Sequence, residues 1–595
     1  MPQASERARE FVEGEKAFRL GELLTESSHP KTRTLSQTIQ ADLPAGIRML
    51  QSVDADIPEA LEGILAQEAF PRLIGAFLEA MHKKQRIFFT GCGATGRLSI
   101  LLEAAWRKFW RGMATEHPDK AGDFSAMEHR CISVMAGGDF ALIKAVEGFE
   151  DFPRFGRHQL KEAGVQQGDV VVAITEGGET PFVIGTAWEG LDVGATVFFV
   201  YNNPTALLCE HVQRSREVIE EPRIGKLDLT TGPMAIAGST RMQATTVELL
   251  VVGAALETAI VRWLESEGVR SLFSTKKGTG HPWASNEYHQ CFARLLDELG
   301  QEDAINTMAR LVQFEESIYR EHGLVTYAAD GVLLDVLTDT TERSPTFMVP
   351  PFRQDGDTRS PASWAFVKNP LQPTRDAWRA MLQRDPRGLE WGLAAYQQLE
   401  APQAIQNEPP CLDNTRIHRF RIGNESDPSR TNVSHSALVA IALRDEVDAL
   451  HGQAVDAIGR GFRQTALITA GAKPTAAHVD AHFHFPCELP SSPLELWDHL
   501  AVKLILNTVS TATMVRLERV IGNAMVWVSP SNKKLIDRGT RLIAEQTGRP
   551  YERACEALFE AMEEVTTRSQ KGQEPPSPVA LAIERLSNTD KDGIA

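Results

Sequence analysis

The chain has 595 residues, 42% of them hydrophobic, and a formal net charge of −17 at pH 7. That length predicts roughly two to four domains, with enough apolar content to bury their cores. The acidic balance argues against nucleic acid or an anionic membrane as a partner of the whole surface, while local pockets can still take a small anion.

Residues 1–45 are polar and helix-prone, break near 27–30, and predict an arm packed on a neighbour. The opening MPQASERAREFVEGEK is too polar for a secretory signal, and no apolar run approaches the roughly 20 residues of a membrane span, so a cytoplasmic protein without a membrane partner is expected. Residues 54–82 read as two amphipathic helices. They lead into RIFFTGCGATGR, where Ile87, Phe88, Phe89 and Thr90 run into three glycines and an amphipathic stretch over 98–109 follows. That order is buried strand, tight turn, helix. Glycines let the turn present its N–H groups, and the helix behind adds unpaired donors and a positive dipole end, so the loop suits an anion such as phosphate.

From there to about 265, strands are expected over 87–90, 131–136, 170–175, 195–201 and 234–237, with helices after most of them. Such alternation predicts a parallel sheet covered on both faces, with ligands at the carboxyl ends of its strands. A linker is expected over 272–285. A second half follows to about 490, with helices over 286–299 and 303–319 and strands over 417–422, 466–470 and 482–485, interrupted by a proline-rich segment over 344–373. Helical spacing returns over 494–520 and 537–564 as a helical cap.

GCGATG also fits the dinucleotide pattern G-x-G-x-x-G. The ribose-binding acid that pattern needs about 20 residues on is missing, because the next strand ends near Ala136 and its acid, Asp139, lies about twice as far away. After the strand over 170–175 comes Glu176-Gly177-Gly178-Glu179-Thr180-Pro181, a second strand-turn-helix junction with hydroxyls at Thr175 and Thr180; Thr180 also suits the cap of the helix that Pro181 starts. Two adjacent loops of this kind can surround one phosphate. The seven cysteines, Cys92, Cys131, Cys209, Cys291, Cys411, Cys487 and Cys555, are scattered and never spaced C-x-x-C, so reduced thiols are expected rather than disulfides or a zinc site. His478, His482 and His484 cluster within seven residues but lack the other ligands of a metal centre, and neither metal nor cofactor is expected.

VVVAITEGGETPFVIG resembles the S-x-S-G-x-T phosphate loop of sugar isomerase (SIS) domains. FTGCGATGRLSIL resembles the G-x-G-T-S-G-R loop of the branch that holds N-acetylmuramic acid 6-phosphate etherase and the glucokinase regulatory protein. AGGDFALIKAVEGFED (136–151), Asn203-Pro204, AGSTRMQATT (237–246) and LAVKLILNTVSTATM with IGNAMVWV and SNKKL (500–535) match the branch in the same order. About 260 residues separate Arg241 from Lys503, where the etherase has almost none, and two SIS domains in one chain is the layout of the regulatory protein.

The resemblance implies an α/β fold of two SIS domains, each a three-layer αβα unit on a parallel five-stranded sheet, with a C-terminal helical cap. The implied divisions are an arm over 1–45, a ligand-binding domain over 46–270, a second domain with a degraded site over 271–490, and the cap over 491–595. Motif by motif, it places a sugar phosphate against Gly93, Ala94, Thr95, Gly96 and Arg97, against Thr175, Glu176, Gly177, Gly178, Glu179 and Thr180, and against Glu150, Ser239 and Lys503. Ala94 and Gly177 stand where the family usually has hydroxyls, which leaves more to backbone amides. Glu150 matches a catalytic glutamate of the etherase and a sugar-contacting one of the regulatory protein. The etherase's second carboxylate falls at Ala105, and its D-x-x-E motif reappears at Asp339–Glu342, so Glu342 is a candidate partner across the two halves; pairing with Arg343 or Arg353 is its other reading. The expected function is a sugar-phosphate sensor or regulator, with a sugar kinase as candidate protein partner; the alternative is an etherase-type lyase or a sugar-phosphate isomerase.

Overall fold

Apolar runs cut by glycine turns set up the strand-helix alternation of both halves. The computed structural model describes residues 4–144, 146, 148–269, 285–444, 458–471, 479–568 and 574–592. The expected linker over 272–285 falls outside them except for its last residue.

The first sheet contains β1 (Ile87–Gly91), β2 (Cys131–Met135), β3 (Val170–Thr175), β4 (Thr196–Tyr201) and β5 (Gly225–Asp228), all parallel, in the order β2-β1-β3-β4-β5. The second contains β6 (Val325–Ala328), β7 (Ala365–Lys368), β8 (Ala437–Leu443), β9 (Gln464–Ala470) and β10 (Ala481–Phe485), in the order β7-β6-β8-β9-β10. Strand for strand the topology is the same, so the chain is a tandem repeat of one parallel α/β unit. In the first sheet β1 pairs with β3 from Ile87↔Val170 to Thr90↔Ala173. The connection reverses direction between these two strands, which is where open α/β sheets hold ligands.

Two expected strands are corrected. Residues 234–237 make only isolated bridges, Met234 to Ser28 and Ala237 to Ala524, and the fifth strand is the polar-flanked GKLD of β5. The 417–422 stretch is no strand: the Asp413 side chain caps a helical turn over Asn414–Ile417, and Trp378 Nε1 donates to the Phe420 carbonyl. The strands β6, β7 and β8 take the places in the sheet instead.

Six helices matter for the site: α1 (Gly93–Glu116), α2 (Pro181–Asp192), α3 (Gln243–Ser266), α4 (Leu333–Phe347), α5 (Leu496–Arg516) and α6 (Lys533–Thr547). Among the described residues, α3 is the helix long and apolar enough to cross a membrane, and nearly all of it is buried within the protein. The helical C-terminal region is not only a covering layer. Of α5, only Lys503 and Arg516 are less than fully buried, and the helix packs on α3 and α4, one from each half. One continuous apolar core therefore runs through both sheets. The N-terminal helix Ala4–Gly14 packs Ala4, Ala8 and Phe11 onto Cys555 and Phe559 of the helix Tyr551–Arg568. All seven cysteines are free thiols.

Candidate functional site

β1 ends directly at the N-terminus of α1, and β3 reaches the N-terminus of α2 through residues 176–180. Because β1 and β3 are neighbours, the two helix ends open side by side. Gly91 ends β1 because a Cβ there would lie 2.5 Å from the Thr95 carbonyl carbon, and Gly93 takes φ +54° with open space in front of it. Among the described residues, the N–H groups of Gly93 and Ala94 on α1, and of Gly177, Glu179 and Thr180 on the second turn, have no hydrogen-bond acceptor. These are the unpaired donors that a helix N-terminus offers to an anion. Gly96 packs against Met135, where a Cβ would meet Cγ at 2.5 Å, and Gly178 turns at φ +70° with its N–H on the Thr175 carbonyl.

The hydroxyls divide. Thr95 Oγ1 is occupied by the helix cap, accepting from Cys92 N at 3.0 Å and donating to Cys92 O at 2.9 Å. Thr175 and Thr180 bond each other across the second turn at 3.0 Å, which leaves one hydroxyl hydrogen of the pair to point elsewhere. Ser239 is buried in the segment that bridges to Ala524, away from a hydroxyl contact with either turn.

Carboxyl groups crowd the same edge. Glu179 pairs with Lys534 at 2.8 Å and Arg214 at 2.6 Å; against its burial, these cations hold it at about 2. Burial raises Glu176 to about 7, its own N–H and Lys534 opposing and Glu342 and Glu150 adding to the shift. Burial also raises Glu150, whose Oε1 accepts from Asn532 Nδ2 at 2.6 Å, against the pull of Lys534. Asn532 Oδ1 meanwhile caps α6 by accepting from Leu535 N at 2.9 Å, so one side chain places both the helix and Glu150. Raised in this way, the Glu176 carboxyl keeps its proton to higher pH than an exposed one and can donate as well as accept, the property general acid–base chemistry needs.

The second half reaches this site through α4. Glu342 lies 2.5 Å from Arg97 Nη1, both buried, and Arg97 Nε also donates to Thr341 at 3.2 Å. Glu342 is thus paired across the halves rather than with Arg343 or Arg353; Arg343 binds Glu315 and Asp339 instead. Ala94, Arg97, Glu342, Lys503 and Arg241 line one small cavity of about 40 Å³ between α1, α3, α4 and α5. Lys503 Nζ donates to the Arg241 carbonyl at 2.6 Å and to Asn507 at 2.8 Å; burial and the nearby Arg241 bring it down to about 8. Arg241 binds Asp339, Ser510 and Thr511, and its buried Nε has no partner.

Arg241, Lys534, Asn532 and the fully buried Glu248 of α3 are the site residues that reading the sequence missed. Arg241 and the Ser-Asn-Lys-Lys-Leu stretch lie inside motifs already visible, but nothing local says which side chain turns inward. His482 and His484 both contact the Thr469 hydroxyl, at 2.9 Å, on the edge strand, and His478 lies outside the described residues.

A family profile for the glucokinase regulatory protein N-terminal SIS domain matches residues 71–189, which contain both turns. N-acetylmuramic acid 6-phosphate etherases are similar over about 240 residues. That of Synechococcus sp. is 31% identical, covering 41% of this chain and 67% of the relative, and that of Brucella anthropi is 30% identical, covering 41% and 69%. A solved C-terminal domain of glucosamine-fructose-6-phosphate aminotransferase from Francisella tularensis aligns with a TM-score of 0.42 at 10% identity, over 78% of this chain and 95% of that one. With its paired parallel sheets and its motifs in order, the chain is a SIS-domain protein of the family that contains the N-acetylmuramic acid 6-phosphate etherases, and it also resembles the N-terminal SIS domain of glucokinase regulatory protein.

Proposed function

We propose that the chain binds a phosphorylated hexose or amino sugar at the carboxyl edge of the first sheet and acts as a sugar-phosphate sensor. The observation that carries this reading is the set of five unpartnered backbone N–H groups at two adjacent helix N-termini. They offer a dianion hydrogen bonds and two positive dipole ends without a dedicated lysine. Glu150 stands ready for sugar hydroxyls. Arg97, Glu342 and Lys503 join both halves and α5 at the flank, so occupancy of the site is coupled to how the halves sit together. Several relatives are named as etherases, and two carboxyl groups, Glu150 and Glu342, favour a second reading as an etherase-type lyase. In that reading one carboxyl removes the proton beside the masked carbonyl and the other protonates the leaving oxygen. The ion pair between Glu342 and Arg97 favours the sensor, because it commits the second carboxylate.

Thermal melting against a panel of sugar phosphates, followed by product analysis, tests both. Ligand at a hundred times its dissociation constant adds about 2.7 kcal/mol of stability. Stabilisation without turnover supports the sensor, and turnover lost in Glu150→Gln supports the lyase. If no sugar phosphate raises the melting temperature, the proposal fails.

A further inference from the structure

The first-half site holds more buried carboxyl groups than its cations answer, and burial raises the unanswered ones. Glu179 is met twice, by Lys534 and Arg214, and nearby Glu26 is met by Arg538 and Arg541. Glu150, Glu176 and Glu248 are not met: among the described residues no lysine or arginine hydrogen-bonds any of them. Glu150 has Asn532, Glu176 has its own N–H, and Glu248 Oε1 accepts from Asn202 Nδ2 at 2.7 Å. Glu248 is 0% exposed and its Oε2 has no partner at all. Asn202 links the pair, since its own N–H donates to the Glu176 carbonyl at 3.0 Å. A buried carboxyl oxygen is costly to leave unpaired, and a glutamine at 248 would satisfy Asn202 without burying an ionisable group. The uncommitted carboxyls adjoin the turns whose free N–H groups suit phosphate, so one edge offers an anion cradle beside a cation cradle.

We infer that the ligand of this site is an unacetylated amino-hexose phosphate, its phosphate on the turn amides and its ammonium group against Glu150 and Glu176, with Glu248 behind them. The inference rests on the sugar-phosphate reading above. A neutral hexose phosphate brings only a hydroxyl to these carboxyls, and an N-acetyl sugar brings an uncharged amide. The other charged groups that face the three carboxyls are Asp151, Glu179, Lys534 and Arg538, Glu342 from α4 and Lys503 from α5.

Calorimetric titration of the full chain at pH 7.5 with glucosamine 6-phosphate, N-acetylglucosamine 6-phosphate and glucose 6-phosphate tests this. Glucosamine 6-phosphate should bind at least about ten-fold tighter than the other two, the scale of one charge-assisted hydrogen bond. The ratio should shrink at pH 6 as Glu176 takes up its proton, and binding of the amino sugar should release protons, read as a dependence of the heat on buffer ionisation. Glu176→Gln and Glu248→Gln should each pull the ratio towards unity. Equal or tighter binding of the two ligands that lack the ammonium group, with a ratio indifferent to pH, overturns the inference and leaves the sugar-phosphate reading intact; no binding of any of the three overturns that reading itself. The pH series on the unaltered chain decides the matter even if a variant fails to fold.

Discussion

At Glu103 on α1 one carboxylate takes two arginines of the second half, and Glu103→Gln is the sharpest test of how charge ties the halves together. The side chain is 1% exposed and accepts from Arg107 at 2.8 Å on its own helix. From the second half it accepts from Arg384 at 3.1 Å and from Arg387 at 2.9 and 2.7 Å, and it also takes the Ser133 N–H at 3.0 Å and hydroxyl at 2.6 Å. Burial alone would raise this carboxyl, but the guanidinia of Arg384, Arg387 and Arg107 overbalance it and hold it far below the usual carboxylate range. Removing one partner of a buried ion pair costs about 3–5 kcal/mol. The lower end applies here: glutamine is isosteric, Arg384 keeps Asp139 at 2.5 Å, and the Arg387 side chain is 40% exposed and can rehydrate. The expected loss is therefore about 3 kcal/mol at pH 7. Urea denaturation followed by tryptophan fluorescence measures it, since Trp106 and Trp110 sit on the same helix. Because the folded value is depressed, the stabilisation is present above the unfolded carboxylate value of about 4.3 and is lost as pH falls through the folded value. The gap between wild type and variant should accordingly narrow from pH 6 towards pH 3. A loss below about 1 kcal/mol with an unchanged slope in urea would refute the reasoning, because the arginines would then be solvating themselves.

Other consequences point the same way. Burial, against the attraction of Lys503, raises Asp54 to about 7, so the unfolded chain ionises first and stability should fall as pH rises from about 4 to 7. Asp54→Asn should flatten that slope and stabilise the protein at pH 7.5, by on the order of 2 kcal/mol in a denaturation series. Gly91→Ala drives a methyl into the Thr95 backbone, whereas Gly96→Ala meets the flexible Met135 side chain. The first should therefore lower the melting temperature more than the second and weaken phosphate-ligand binding as well. A double-mutant cycle of Arg97→Met and Glu342→Gln should return a coupling of about 1–3 kcal/mol, and a value near zero would mean that the halves meet without this pair.

The first sheet was legible because its signals are local. Phe88 and Phe89 run into Gly91, and Val170 to Ile174 run into Gly177 and Gly178, so strand, turn and helix start lie within a dozen residues. Strand β5 was missed since GKLD carries only one large apolar side chain, while the more apolar residues 234–237 are buried without a sheet partner. In the second half, β8 reads as ALVAIAL, alanine-rich and ambiguous in period, and β7 lies inside a proline-rich stretch that masked it. The IHRFRI alternation at 417–422 imitated a strand, but the Asp413 cap and the Trp378 bond to Phe420 spend its backbone elsewhere.

By itself the sequence determined that two glycine turns, at Gly91–Gly96 and Gly177–Gly178, end buried strands and open helices, because backbone freedom and apolar runs act over a few residues. Tertiary structure alone decided which side chains meet there. Thr95 turned out to close its own helix cap, Glu342 to reach Arg97 from 245 residues away, and Asn532 to hold Glu150 from 382. Local sequence encodes the turns, but which charges are buried together depends on how two sheets and α5 pack, and that is settled only when the halves close on one core.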